Sequence, residues 1–247
     1  MRSPRTPKTI KSQKMMTISD RFEEIIKRRD EAAIRSGRKP EDVKLVAVTK
    51  THTADEINQA IDAGATDIGE NRVQELLEKY ESVKPVNWHL IGHLQTNKVK
   101  NVIGKVVMIH SVDSLKLARE IDKRSEAAGI TTDILIEINS AMEETKSGID
   151  AKDLKELTEQ IVSECGHVRI RGLMCIPPIA AEPEDSRPYF KEAAELFEEM
   201  KSWDYPSDRF TPDELSMGMS GDFEVAIEEG ATIIRVGSSI FGPRNYR

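Results

Sequence analysis

The sequence has 247 residues, 38% of them hydrophobic and 32% charged, with a net charge of -7 at pH 7. That length allows one α/β barrel or two small domains, and no run approaches the roughly 20 apolar residues that cross a bilayer. The acidic balance, with no basic face outside the N-terminal tail, argues against a nucleic-acid or membrane partner; two cysteines, Cys165 and Cys175, make neither a disulfide framework nor a metal site and suit a reducing, intracellular compartment.

Residues 1–17 read as a basic extension, since Arg2, Arg5, Lys8, Lys11 and Lys14 precede any acidic residue and Pro4 and Pro7 discourage regular structure. An acid-free, Arg-containing leader resembles a mitochondrial presequence in composition, but it has few apolar residues for an amphipathic face. We expect a disordered extension on a cytoplasmic protein, with Met15 or Met16 as a second start. Ile18–Ser36 then predicts an amphipathic helix with Phe22, Ile25, Ile26 and Ala33 on one side and Gly37 as its stop.

From there short apolar runs alternate with helical patterns. The runs are Val43–Thr49, Asp67–Gly69, Val86–Ile91, Val106–His110, Asp133–Ile138, Arg169–Ile176, Glu214–Met217 and Thr232–Val236. The helical stretches are Ala54–Ala63, Val73–Tyr80, Ser114–Ala128, Lys152–Glu164, Pro188–Lys201 and Phe223–Glu229. Strands separated by helices imply right-handed crossovers and a parallel sheet, and runs as apolar as Leu45–Val48 and Ile134–Ile138 suit strands covered on both faces. Eight units would close a single (β/α)8 barrel, preceded by the extra N-terminal helix; a doubly wound open sheet is the competitor, because periodicity does not decide closure. No linker divides residues 18–247, and Pro177–Pro188 reads as a surface loop after the sixth strand.

In a parallel barrel, chemistry sits at the C-terminal ends of the strands. Lys50 ends the first run, just before the capping sequence Thr53-Ala54-Asp55-Glu56. A lysine partly desolvated at a barrel mouth has a lowered pKa and offers a neutral amine to an aldehyde; the alternative is a solvated lysine such as Lys44. Phosphate in such barrels binds in the loops after strands 7 and 8. Here these read Ser216-Met217-Gly218-Met219-Ser220-Gly221 and Gly237-Ser238-Ser239, whose small residues let backbone amides approach phosphate oxygens. Gly and Ser also make ordinary tight turns. Both loops in the expected places, together with a mouth lysine, point to a phosphorylated aldehyde, pyridoxal 5′-phosphate.

Arg235 alternates with Ile234 and Val236 and so can point inward. Facing a pyridine nitrogen, an arginine can only donate and keeps that nitrogen unprotonated; its alternative role is an ion pair at the barrel base. Asn71 follows the second run and can contact the cofactor ring or the Lys50 region, or simply form a turn. His89 and His93 straddle a strand end and a loop without a third ligand, which does not suit zinc; one is expected to line the mouth while the other packs or caps.

With these residues in place, the chain resembles the pyridoxal phosphate homeostasis proteins, a family similar to the N-terminal barrel of alanine racemases. The resemblance rests on Ala47-Val48-Thr49-Lys50, Gly69-Glu70-Asn71-Arg72-Val73-Gln74-Glu75, the segment from His89 to Lys98, Lys146-Ser147-Gly148, Gly172-Leu173-Met174, Leu215 to Asp222, and Ile234 to Gly242. It implies a barrel in which Lys50 holds the cofactor as a Schiff base, Ser216, Ser220, Gly237 and Ser238 surround the phosphate, and Arg235 faces the pyridine nitrogen; Asn71 and Met217 complete the expected cofactor contacts. Thr49 stands where the family often has serine, and Arg72 where some members have tyrosine.

The resemblance implies an intracellular vitamin B6 homeostasis factor that holds the reactive aldehyde and passes it to apo-enzymes in transient encounters. The alternative is an amino-acid racemase with weak activity. In the related racemases an added β-domain supplies a catalytic tyrosine across a dimer interface, whereas this chain runs only a few residues beyond its eighth strand. Tyr80, Tyr189, Tyr205 and Tyr246 have no evident route to the second base position of a two-base mechanism. We therefore expect a monomer without dedicated catalytic activity.

Overall fold

The computed structural model describes residues 16–140 and 147–242. Eight parallel strands, β1 (Lys44–Val48), β2 (Asp67–Glu70), β3 (Asn87–Leu90), β4 (Met108–Val112), β5 (Thr132–Ile138), β6 (Val168–Cys175), β7 (Phe210–Ser216) and β8 (Ile233–Val236), run in chain order around a closed barrel. Closure is direct, because β1 pairs with β2 on one side and β8 on the other, with Val46 opposite both Asp67 and Arg235. The open-sheet alternative is thereby excluded.

The helices are α1 (Ile18–Arg35), α2 (Ala54–Asp62), α3 (Val73–Tyr80), α4 (Leu115–Ala128), α5 (Leu154–Glu164), α6 (Arg187–Lys201), α7 (Phe223–Glu228) and α8 (Ser238–Phe241). Thr17 starts α1 through a capping box with Asp20, satisfying amides that the first turn leaves open. The extra helix α1 packs against α7 and α8, where Arg28 pairs with Glu224 at 2.8 Å and Arg21 Nε donates to the Ile240 carbonyl at 2.6 Å. None of the described helices is long and apolar enough to cross a membrane.

Two-residue periodicity divides the side chains into two cores. Leu45, Ala47, Ile68, Leu90, Ile134 and Ile234 face outward and form the main core with the helices. Val46, Met108, Leu135, Met174 and Ile233 form a small separate apolar cluster. The same strands also bury Asp67, His89, His110, Glu137, Ser216 and Arg235.

Three segments depart from the sequence reading. A six-residue 3-10 turn, Thr96–Asn101, replaces the α-helix between β3 and β4. β7 begins at Phe210 rather than Glu214, because Pro212 and exposed Asp213 hide its first half from a hydropathy reading. The last turn, α8, follows Gly237 in a stretch too short to show a period. The expected extension lies mostly outside the described residues, as does Lys146.

Candidate functional site

A cavity of about 360 Å³ opens at the C-terminal ends of the strands. Val48, Ile91, Ile176 and Met219 form its apolar wall, and Lys50, His52, Asn71 and Arg235 give it polar reach. Ser220, Gly221, Gly237 and Ser238 line it from the loops after β7 and β8. Six of the residues singled out from the sequence, Lys50, Asn71, Ser220, Arg235, Gly237 and Ser238, therefore border one space.

Lys50 lies half-buried just beyond β1, and both flanking peptides are pinned. The Thr49 carbonyl accepts from Lys79 Nζ at 3.0 Å, and the Thr51 amide donates to Glu75 Oε2 at 2.7 Å. Lys79 also reaches Glu70 Oε1 at 2.7 Å and Glu75 Oε2 at 3.2 Å, and the Thr49 hydroxyl donates to the same Glu70 oxygen at 2.7 Å. Thr51 takes φ +68°, a left-handed conformation that costs energy in a β-branched residue and persists because the surroundings over-determine it. Burial pushes the Glu70 carboxyl up in pKa, against the pull of Lys79.

Across the cavity, Ser220 Oγ accepts from the Gly237 amide at 3.2 Å and from the Ser239 amide at 3.5 Å. Two backbone donors and a hydroxyl thus converge between the two loops, and a Cβ added at Gly221 would meet only open space. Asn71 Oδ1 is buried without a hydrogen-bond partner. Gly92 keeps Asn71 in place by close approach: a Cβ there would lie 2.4 Å from the Asn71 carbonyl oxygen. Arg235, from β8, is buried, and burial lowers its pKa below the ordinary arginine value.

Two residues expected at the cofactor do not border the cavity. Ser216 does not line the cavity; its hydroxyl lies beneath Arg235, accepting from Nη1 at 2.6 Å. Met217 is fully buried in the main core, because alternation after inward Ser216 turns it toward the helices. Of the two histidines, one packs as expected, but neither lines the mouth. His89 is buried inside the barrel, bonded to Asp67 and His110, and His93 is exposed; neither borders the cavity.

The imidazole that does border it is His52, stacked on Phe241 with ring centroids 4.7 Å apart and paired with Glu56 at 3.4 Å. The sequence carried a signal for it, since His52 stands two residues after Lys50, past the end of the first strand. Val48, Ile91 and Ile176 stood likewise at the C-terminal ends of predicted runs. Tyr80, Tyr189 and Tyr205 do not line the cavity, and Tyr246 lies outside the described residues.

A lysine amine, a cradle of small residues and a buried arginine suit a phosphorylated aldehyde with a basic ring. Residues 28–245 match the family model of the alanine racemase N-terminal domain. A pyridoxal phosphate homeostasis protein of Aquifex aeolicus is 47% identical over 233 residues, covering 94% of this chain and all of that protein. PipY of Synechococcus elongatus, in its structure with pyridoxal phosphate bound, superposes with a TM-score of 0.74 at 34% identity, covering 92% of this chain and 100% of PipY. The alanine racemase of Streptomyces lavendulae shares the fold alone, with a TM-score of 0.69 at 17% identity over 92% of this chain and 60% of the racemase. On these grounds the chain belongs to the pyridoxal phosphate homeostasis protein family, built on the alanine racemase N-terminal barrel.

Proposed function

We propose that this protein binds pyridoxal 5′-phosphate in the mouth cavity and serves vitamin B6 homeostasis by holding the reactive aldehyde. The observation that carries the reading is the convergence of Lys50, Arg235 and the Ser220–Gly237 cradle on one cavity. When bound, the cofactor supplies an aldehyde that condenses with amines and a ring that draws electrons. Lys50 is the amine we assign to the covalent link, its geometry fixed by the pinned peptides on either side. The Ser220 hydroxyl, oriented by the Gly237 and Ser239 amides that donate to its oxygen, and the Gly221, Gly237 and Ser238 backbone beside it would hold a dianionic phosphate. Arg235 presents N–H donors and a positive charge to the ring nitrogen, which disfavours protonation there and weakens the ring as an electron sink. Asn71, with its unpartnered oxygen, completes the polar wall.

A two-base racemase needs acid–base groups on both faces of a substrate carbon within hydrogen-bond reach. Lys50 is one such group; the described tyrosines do not line the cavity, and the imidazole that does, His52, is held against Glu56 and Phe241. The reading therefore favours storage and transfer over turnover, with transient contact between the cavity mouth and apo-enzymes. Its finer points are a monomer and a cytoplasmic setting in which buried Cys165 and Cys175 stay reduced; size-exclusion chromatography checks the first.

Incubation with pyridoxal 5′-phosphate should yield a yellow protein, and borohydride reduction should leave the pyridoxyl mass on the Lys50 peptide. Lys50→Ala should lose both while keeping its circular dichroism. Robust turnover of D- or L-alanine by the wild type would overturn the carrier reading.

A further inference from the structure

Arg235 reaches the cavity on a foundation of its own. Its Nη1 donates to Ser216 Oγ at 2.6 Å, and its Nη2 donates to the Cys175 carbonyl at 3.0 Å. Both acceptors are neutral. Beyond Ser216 the contacts continue through the barrel without a gap. Ser216 Oγ lies 3.0 Å from His110 Nδ1, His110 Nε2 lies 2.9 Å from His89 Nδ1, and His89 Nε2 lies 2.9 Å from Asp67 Oδ1. No member of this row is more than 4% exposed. Asp67 is anchored in turn by the Thr66 hydroxyl at 2.7 Å and borders a second cavity of about 240 Å³ between α1 and the barrel base. The row thus joins two cavities.

The ends dictate its direction. A guanidinium has only donors and a carboxylate only acceptors. With each interior group giving one hydrogen bond and taking one, a single neutral arrangement remains. Arg235 donates to Ser216, Ser216 O–H donates to His110 Nδ1, His110 Nε2–H donates to His89 Nδ1, and His89 Nε2–H donates to Asp67. A doubly protonated His89 would reverse the middle links, so that His110 and Arg235 both donate to Ser216 and its own proton has no acceptor in the row. Burial holds His110 well below the ordinary imidazole range, so this ring carries one proton and donates through one nitrogen only. Of the other nearby charges, Lys44 is paired with Glu214 at 3.1 Å, and Glu137 and Asp222 act on Arg235 from a distance.

We propose that Asp67, His89, His110 and Ser216 form a one-way hydrogen-bonded wire that positions Arg235 in the cavity and, through it, tunes the ring nitrogen of the bound cofactor. The proposal rests on the reading that this cavity holds pyridoxal 5′-phosphate. The four are positioning residues, since none borders the mouth cavity. A chain of polarised hydrogen bonds in a low-dielectric interior is stronger than its links taken singly, and a missing link leaves buried groups unpaired.

Two measurements test it. In the 15N-labelled wild type without cofactor, long-range 1H–15N correlation should find His89 and His110 neutral at pH 7 with the proton on Nε2. A proton on Nδ1 of either ring, or two protons on one, would overturn the wire. In the loaded protein, Ser216→Ala should move the pH midpoint of the visible band by roughly one unit, the size of one hydrogen bond to a charged group. Ser216→Thr, which keeps the hydroxyl, should restore it. An unchanged midpoint in Ser216→Ala would also sink the proposal. A wild type that takes up no cofactor would refute the cavity's assignment instead, and the tautomers of the unloaded protein would still decide the wire.

Discussion

Lys50 is held in place by side chains outside the cavity lining, and Lys79 is the chief of them. It bridges Thr49, Glu70 and Glu75, and Glu70 is fully buried. Lys79→Met removes the partner of a buried carboxylate, which costs about 3–5 kcal/mol. The double variant with Glu70→Gln should recover most of that loss, because an uncharged pair needs no compensation; urea denaturation of the four proteins measures both. Glu137 adds a pH dependence of its own. Burial, reinforced by Asp113, raises its pKa from 4.5 to about 7. The folded state therefore holds this proton more tightly than the unfolded chain. That contribution is fully present below about pH 4.5 and lost as pH rises through about 7. Between pH 5 and pH 8 the wild type should lose roughly 2 kcal/mol relative to Glu137→Gln, read from the difference between their denaturation curves.

At the scale of elements, Gly172 decides how β6 meets β7. The register shifts between Ile170 and Gly172, where the backbone takes φ +139° and an added Cβ would lie 2.0 Å from the Glu214 carbonyl oxygen. Gly172→Ala combines a forbidden conformation with a backbone clash. It should cost about 3 kcal/mol or more and lower Tm by roughly 10 °C in calorimetry. The alternation of runs and helical stretches was legible because burial on both faces makes strands such as Ile134–Ile138 continuously apolar. β7 was half hidden because its first residues carry Pro212 and exposed Asp213. The Thr96–Asn101 turn was not assigned because six residues with Lys98 and Lys100 have no helical period to detect.

For the molecule as a whole, the barrel ties the cofactor cavity to global stability. A ligand that binds only the folded state at a hundredfold excess over its Kd adds about 2.7 kcal/mol. Pyridoxal 5′-phosphate should therefore raise the wild-type Tm by roughly 5–10 °C, and Lys50→Ala should lose most of that gain.

By itself the sequence determined the class of fold and the outer edge of the site. Hydrophobic periodicity is local, and the rule that strand ends and the last two loops carry chemistry converts it directly into Lys50, Arg235, Ser220, Gly237 and Ser238. Whether the sheet closes was settled only by pairing between β1 and β8, which lie nearly 190 residues apart in the chain. The partnership of Asp67, His89, His110 and Ser216 also needed the tertiary structure. Those side chains come from four strands and meet only because the barrel turns alternate residues of each inward, a register that no single segment encodes.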